Sequence, residues 1–480
     1  MNNVKKNFLY NVIYQILSII LPLITVPYTS RVLGASNIGI FSYTYAIVFY
    51  FMTIAMLGIT NYGSRSIAKS RDNSIELSKT FFSIYSIQIL MSLLMLVIYC
   101  FYISFGSTYK VISIIQILYL MSSMFDINWF FFGMEEFKLT VLRNASVKII
   151  SLILIILLVK TSEDINIYTL IMSGSTLLSQ LILLPFLKNR IKFCRISLDD
   201  IKVHIKPCII LFFPVIAMSL YKLMDKIMLG YLANVTEVGF YEQAEKIINM
   251  PLTIVVALGT VTLPKISNMV ANNEYSRINL YIKKSMSFVI FIASPIALGL
   301  ISIADYLIPI ILGDGFNKSI ILIQILAFSI LFSSIANIIR SEYLIPLEKD
   351  KEFIISVFLG ALVNLIVNIF LIPKFQSIGA CIGTLIAEFF VMFFQIMIVR
   401  KSIPIFSYIN KAKKFFLNSL IMFLFLKSIE LFHISSNILL ILEILLGCIV
   451  YVLLNYKYIL TLIPLNKILN HRKNYIKKGR

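Results

Sequence analysis

The chain has 480 residues, of which 59% are hydrophobic and 14% charged, where soluble domains carry about a quarter charged. That balance, with a mean hydropathy of +0.90, excludes an ordinary soluble protein, and no polar stretch is long enough to fold as a separate soluble domain. The net charge of +20 reads as a topology signal with attraction to anionic lipid headgroups, not as a nucleic-acid surface.

A hydropathy window of about 20 residues predicts an all-α polytopic membrane protein with about fourteen transmembrane helices. Six fall near 8–30, 38–62, 80–105, 110–133, 139–160 and 166–187, an N-terminal lobe over 1–187. A basic linker, 188–206, leads to six more near 207–232, 237–263, 285–312, 319–345, 353–373 and 377–399, a second lobe over 207–400. A last pair near 413–432 and 437–458 makes an appendage over 401–458, and a basic tail runs over 459–480. The first span lacks a small-residue cleavage pattern behind it and is expected to be retained, not removed as a signal peptide. Lysine and arginine concentrate on alternate segments, among them Arg65, Lys69 and Arg71, then Lys138 and Arg143, then the linker. That excess marks the cytoplasmic side and puts both termini there. The cysteines (Cys100, Cys194, Cys208, Cys381, Cys448) have no CxxC spacing, so neither a metal site nor a disulfide framework is expected.

Two stretches repeat one another. Leu33-Gly34, Ile38-Gly39, Phe41 and Tyr43 precede a span with Arg65 beyond it; Leu229-Gly230, Val238-Gly239 and Tyr241 precede one with Lys265 beyond it. A hydrophobic unit written twice points to a two-lobed transporter whose site lies between the repeats. With six spans in each, the repeats run parallel about an axis along the membrane normal.

Polar side chains inside the spans mark the candidate site. On the first helix Asn11, Gln15, Ser18, Pro22, Thr25 and Thr29 fall on one face. The eighth continues the pattern with Glu242, Lys246, Asn249, Thr253 and Thr260. Such faces would be unsatisfied against hydrocarbon and fit the walls of a wet cavity, although packing through small polar residues gives similar stripes. On the seventh helix Lys222, Asp225 and Lys226 share a face at i, i+3 and i+4, at the depth of Glu242, Glu245 and Lys246 on the next. Buried ions must pair or meet water, so this set is either a structural clasp or a cationic site for an anionic substrate. Arg31 holds the equivalent place in the first lobe and is the strongest single candidate for an anion contact. Arg340 near Glu342 ranks lower, because a long cation near a helix end snorkels. Glu388 and Asp126 are the candidates for ion coupling, to protons or sodium, and no other cofactor is expected. Lys427 and Glu430 read as an ordinary intrahelical pair.

The run Pro27-Tyr28-Thr29-Ser30-Arg31-Val32-Leu33-Gly34 into Gly39-Ile40-Phe41 is similar to the MATE-like (MOP) superfamily of polysaccharide exporters, and most closely to the Wzx-type flippases. Gly58-Ile59 with Asn61-Tyr62-Gly63-Ser64-Arg65, Asp225-Lys226-Ile227-Met228-Leu229-Gly230 into Gly239-Phe240-Tyr241, and Gly313 with Phe316 extend the likeness over nearly the whole chain. The resemblance implies two six-helix lobes around a central cavity, with Arg31 and Asp225 at family positions. It implies a multi-pass protein of the cytoplasmic membrane that moves an undecaprenyl-pyrophosphate-linked oligosaccharide outward for O-antigen or capsule synthesis. Polysaccharide polymerase and chain-length regulator proteins are then the expected partners.

Two rivals belong to other classes. A multidrug/cation antiporter would prefer acids and aromatics, and the lysine set argues against it. A membrane enzyme would need a sizeable catalytic loop, and the predicted outer loops are a few residues long. No GxxxxGK[ST] loop occurs, so ATP hydrolysis by that route is not expected, and no catalytic residue is assigned.

Overall fold

The computed structural model describes residues 2–188, 190–432 and 436–462, with side chains from Ile20 onward except at 260–261 and 432–437. The stripe residues Asn11, Gln15, Ser18 and Thr260 therefore lie outside the described side chains, and most of the basic tail lies outside the described residues. Among the described residues there is no strand. Among the described residues ten helices are long and apolar enough to cross a membrane, or eleven if the bent pair Ile438–Leu454 and Tyr456–Leu462 counts as one span.

The helices are α1 (Asn2–Met56), α2 (Ile59–Ser70), α3 (Ser74–Phe105), α4 (Lys110–Ile115), α5 (Ile117–Met124), α6 (Asn128–Gly133), α7 (Phe137–Leu158) and α8 (Ile165–Leu181). After them come α9 (Leu198–Leu232), α10 (Val235–Ala271), α11 (Tyr275–Leu312), α12 (Lys318–Ile339), α13 (Asp350–Val399), α14 (Ile405–Ile429), α15 (Ser436–Leu454) and α16 (Tyr456–Leu462). The backbone of α1 breaks at Gly34 (φ 74, ψ 170) and that of α13 at Gln376 (φ 54, ψ −129). Glycine takes a positive φ without a Cβ clash. Gln376 has no such freedom and is held by a hydrogen bond: its Oε1 accepts from Lys318 Nζ at 2.8 Å.

Helix ends differ from the sequence-based spans where local chemistry decides them. α9 begins at Leu198, within the stretch read as linker, because Ser197 and Asp200 form a capping box that satisfies the first free amides. The Asn73 side chain similarly accepts from Ile75 N and Glu76 N to open α3. The predicted fourth span, 110–133, is three short helices with corners at Gln116 and at 125–127.

The chain groups into two units. The first comprises 1–250, 311–322 and 354–391; the second comprises 251–310, 323–353 and 392–480. The first is built on a buried cluster of Ile59, Ile67, Phe81, Ile84, Trp129, Phe130 and Phe131. Here Gln88 is a polar pivot: its Oε1 accepts from Trp129 Nε1 at 2.9 Å while its Nε2 donates to Ser123 O and Asp126 O at 2.6 and 2.9 Å. Those carbonyls are where the span breaks, so Gln88 satisfies backbone groups that a continuous helix would have paired. Gln88→Met should destabilise the chain by about 1–3 kcal/mol by leaving these partners unpaired. Trp129, the sole tryptophan, reports on it by emission during thermal unfolding, and an unchanged midpoint would remove the pivot role.

In the second unit, Met422, Leu426 and Tyr451 form a smaller cluster against Phe291. Outward faces are apolar: Leu90, Leu94, Val97 and Phe101 on α3, and Phe358, Leu362, Ile366 and Ile369 on α13, are all exposed. Exposure of this kind suits hydrocarbon as the solvent.

Candidate functional site

The charges on α9 and α10 meet across their hairpin inside the first unit. Lys226 Nζ lies 2.6 Å from Glu242 and 2.9 Å from Glu245, and Lys246 Nζ lies 3.0 Å from Glu242. The Lys226 and Glu242 side chains are each only 11% exposed, Lys246 is 36% exposed. Two cations balance two anions, which is the condition for keeping ions inside an apolar bundle. Lys246, held from one side and open on the other, retains donors for a ligand. Lys222 and Asn249 are exposed, and Lys222 has no ion pair among the described residues.

Asp225 does not join this set. Spacing puts Lys222, Asp225 and Lys226 on one face, but adjacent helical residues point about 100° apart, and the structure uses that angle. Lys226 pairs with the carboxylates of α10, whereas Asp225 bridges α10 and α13, accepting from Tyr241 Oη at 2.7 Å on the former and from Thr384 Oγ1 at 2.8 Å and Asn368 Nδ2 at 2.5 Å on the latter. Asn368 also donates to Asn364 at 3.1 Å. Asn368 comes so close to α13's other limb that a Cβ on Gly383 would lie 2.0 Å from its Oδ1. Carboxylate, amide and hydroxyl oxygens converge here, and they form a donor set that could hold a small cation. Among the described residues there is no cluster of three His, Cys, Asp or Glu for a metal ion.

A third knot ties α10 to α12 and α13. Glu237 pairs with Lys318 at 2.7 Å and takes hydrogen bonds from the Ser377 amide at 3.2 Å and from the Ser377 hydroxyl.

The duplicated motifs lie against each other. A Cβ on Gly39 would fall 1.7 Å from Val235 O, and one on Gly239 would fall 1.9 Å from Ala35 O. Each glycine thus meets a backbone carbonyl four residues before its counterpart. That reciprocal contact gives the repeated glycines a common cause, close approach of two helices. Likewise a Cβ on Gly230 would strike the Tyr43 ring at 2.1 Å.

Other candidates are scattered. Arg31 is exposed, its Cγ lying 3.4 Å from where a Gly313 Cβ would stand. Asp126 accepts from Asn128 N and Nδ2 at 3.0 and 2.6 Å. Glu388 lies beside the Tyr221 phenol. In the second unit Arg340 donates to Asn337 at 2.5 Å and stacks 5.7 Å from the Phe353 ring centroid. Glu342, fully buried in the π-turn Arg340–Leu344, has the Ser285 and Thr262 hydroxyls as neighbours. Lys427 pairs with Glu430 at 2.5 Å and also reaches Asp305 at 3.5 Å.

Arg143 corrects the sequence reading. Counted among loop cations, it is 6% exposed inside α7 and donates to Ser179 O, Gln180 Oε1, Asn128 Oδ1 and Asn144 Oδ1 at 2.8, 3.0, 2.9 and 2.6 Å. These four contacts are to neutral oxygens, and the Asp126 carboxylate also acts on the guanidinium electrostatically. Tyr241, Asn364, Asn368 and Thr384 were not singled out as site residues. Two asparagines four apart in the apolar run Asn364-Leu365-Ile366-Val367-Asn368 are the signal that would have found their helix face.

Comparison with known proteins follows the same lines. The family profile described as polysaccharide biosynthesis protein matches residues 4–270. The profile described as lipid II flippase MurJ matches residues 140–457. Proteins named "Putative O-antigen transporter" are 26% identical over 83% of this chain and 97% of theirs in Escherichia coli (strain K12). In Shigella dysenteriae the figures are 24%, 82% and 100%. Among solved structures, a lipid II flippase MurJ in an inward closed conformation superposes with a TM-score of 0.75 at 19% identity, covering 95% of this chain and 99% of that one. An inward-facing multidrug resistance MATE family transporter superposes at 0.55 and 12%, covering 80% and 96%. Those two likenesses speak to the fold, while the profile over 4–270 covers more than half of the 480 residues. The chain belongs to the polysaccharide biosynthesis protein family.

Proposed function

We propose that this chain is a flippase that carries polyprenyl-pyrophosphate-linked oligosaccharides from the inner to the outer leaflet of the cytoplasmic membrane for surface polysaccharide synthesis. The observation that carries the reading is a charge-balanced set, Lys226, Glu242, Glu245 and Lys246, inside the apolar bundle of a chain in this family, with Lys222 and the open side of Lys246 left for a ligand. A sugar headgroup and its pyrophosphate do not cross hydrocarbon bare. Lysines offer them charge-assisted hydrogen bonds while the prenyl chain stays in lipid.

In this reading Lys222, Lys246 and Arg31 contact the anion, Glu242 and Lys226 position them, and Asn11, Gln15, Asn249 and Arg340 add polar contacts. Asp225, Glu388 and Asp126 are the groups through which a proton or sodium ion would couple. Coupling is not obligatory, since an inside-negative potential favours outward movement of an anion by about 2.3 kcal/mol per charge per 100 mV. Fourteen spans follow if α1 and α13 each count twice, divided at Gly34 and Gln376, and α14 counts with the rest. The lobes 1–187 and 207–400 then alternate access about the linker 188–206, with 401–458 appended and both termini cytoplasmic. Polymerase and chain-length regulator proteins take the product.

The deciding experiment is flipping in proteoliposomes, with a polyprenyl-pyrophosphate oligosaccharide in one leaflet and its headgroup scored for access to an added glycosidase. Wild type should flip it, and Lys222→Ala, on an exposed position that folding tolerates, should slow it by about tenfold or more through loss of one charge-assisted hydrogen bond. If wild type flips nothing yet exports a cationic dye against a proton gradient, the reading gives way to the multidrug antiporter, which the MATE-like fold also accommodates.

A further inference from the structure

Glu342 is fully buried in the π-turn that closes the span Lys318–Leu344 of the second unit. An ionised carboxyl in such a place is costly unless a cation or several donors meet it. Among the described residues it has no ion pair, neither oxygen makes a full hydrogen bond, and its polar neighbours are the hydroxyls of Thr262 on α10 and Ser285 on α11. The cations on these elements are engaged with other groups. Arg340 donates to Asn337 at 2.5 Å, Lys265 donates to the Tyr281 hydroxyl, and Lys349 donates to the Tyr343 hydroxyl at 3.4 Å.

The direction of the hydrogen bonds distinguishes the two forms of the acid. A hydroxyl has one proton to give and lone pairs with which to receive. Thr262 directs its proton to its own helix, Oγ1 lying 3.1 Å from Leu258 O and 3.2 Å from Gly259 O, so it presents an acceptor to Glu342. A carboxylate there would set lone pair against lone pair. A carboxylic acid instead gives its O–H to Thr262 and takes the Ser285 proton on its carbonyl oxygen.

The same two helices lead from the acid to solvent. Helix neighbours stand three or four residues apart: Lys265 follows Thr262 by three on α10, and Tyr281 precedes Ser285 by four on α11. Lys265 is exposed and lies over the Tyr281 ring, 4.5 Å from its centroid. The hydroxyls beside Glu342 are thus one turn from an exposed pair, at the end of the bundle where α10 gives way to α11. The acid itself sits in a turn widened by the bond from Ile345 N to Arg340 O, 3.0 Å long, a distortion that recurs at functional sites.

We propose that Glu342 is a proton-binding site that couples transport to a proton, exchanged with water at the Lys265 and Tyr281 end. On release the carboxyl O–H bond breaks and the proton passes to water. The carboxylate left behind takes hydrogen bonds from both hydroxyls once Thr262 turns its proton toward it. Proton binding stands on this geometry; its use in coupling rests on the flippase reading and deepens it, through a group other than Asp225, Glu388 and Asp126.

The test uses the full chain. In infrared spectra at neutral pH, wild type should show a protonated-carboxyl C=O band that Glu342→Gln lacks. Glutamine keeps the shape and offers the same donor and acceptor, so the variant should unfold at the wild-type midpoint. Identical spectra in that region mean an ionised Glu342 and overturn the site. Should Glu342→Gln fail to fold, Thr262→Val serves: loss of the acceptor should shift the band, and an unshifted band rejects the site. In proteoliposomes with a lipid-linked oligosaccharide, a gradient of about one pH unit should change the wild-type flipping rate by up to about tenfold, and Glu342→Gln should lose that response. A wild-type rate that ignores the gradient, or a response that Glu342→Gln keeps, overturns the coupling and leaves the flippase intact. Wild type that flips nothing with or without the gradient overturns the flippase reading and the coupling with it, while the infrared comparison still decides whether Glu342 holds a proton.

Discussion

Glu242→Gln should destabilise the folded chain by about 3–5 kcal/mol, the penalty for stranding buried charge when one partner of an ion pair is removed. Glu242 faces Lys226 at 2.6 Å and Lys246 at 3.0 Å, while Glu245 reaches only Lys226, at 2.9 Å. Without Glu242 the cluster carries one excess positive charge. Because the defect is one of charge balance, a second change that removes the surplus cation should repair it. Glu242→Gln with Lys246→Met leaves Lys226 opposite Glu245 and should regain most of the lost stability. The coupling is read from thermal unfolding midpoints of the two single variants and the double, in one detergent. Additive losses would mean that the pair does not act as a unit. Transport separates stability from function: the double variant should fold yet flip poorly, because Lys246 also faces the ligand in the proposed mechanism.

How much of this was legible in the residues depends on which physical rule governs each feature. Span existence was, because hydrocarbon requires every backbone group to be satisfied within a helix, and long apolar runs advertise that. The helices from Ser74–Phe105 to Asp350–Val399 accordingly overlap their predicted positions. Breaks were not, because they are set by partners distant in sequence. The corner at 125–127 is held by Gln88, and that at Gln376 by Lys318. Spacing on a helix identifies a shared face but not the helix that face meets. Asp225 and Lys226 are therefore adjacent in sequence but differently engaged: Lys226 pairs with the carboxylates of α10, whereas Asp225 takes hydrogen bonds from both α10 and α13. Arg143 shows the same limit from the other side. A positive charge near a span end reads as a loop residue, and the carbonyl and amide oxygens of α8 and its neighbours, together with the Asp126 carboxylate, help make its burial tolerable. The duplicated glycines were legible as a repeat, but their reason, mutual contact, appears only in three dimensions.

That contact yields the other large effect. Gly39→Val should stop transport, because a Cβ there would lie 1.7 Å from Val235 O and 2.9 Å from Gly239 N, both backbone atoms that no rotamer can move aside. The α1 and α10 backbones would have to separate, whereas ordinary overpacking of a core costs about 1–3 kcal/mol and is relieved by side chains. Gly239→Val should do the same through Ala35 O at 1.9 Å. Since the two glycines serve one contact, the double variant should be little worse than either single one, a non-additivity expected only for residues in direct apposition. The structural readout is labelling of Ile38→Cys, at a position 4% exposed, in a chain whose native cysteines have been replaced. In the parent the thiol should resist a membrane-impermeant maleimide, and with Gly39→Val it should react readily, because the separated helices admit reagent from that side. Gly39→Ala carries the same first carbon and should already show both effects, which distinguishes a backbone clash from a matter of side-chain size. If Gly39→Val transports normally and leaves the thiol protected, the two motifs do not need to touch for the transport cycle, and their glycines would have to be explained by each helix alone.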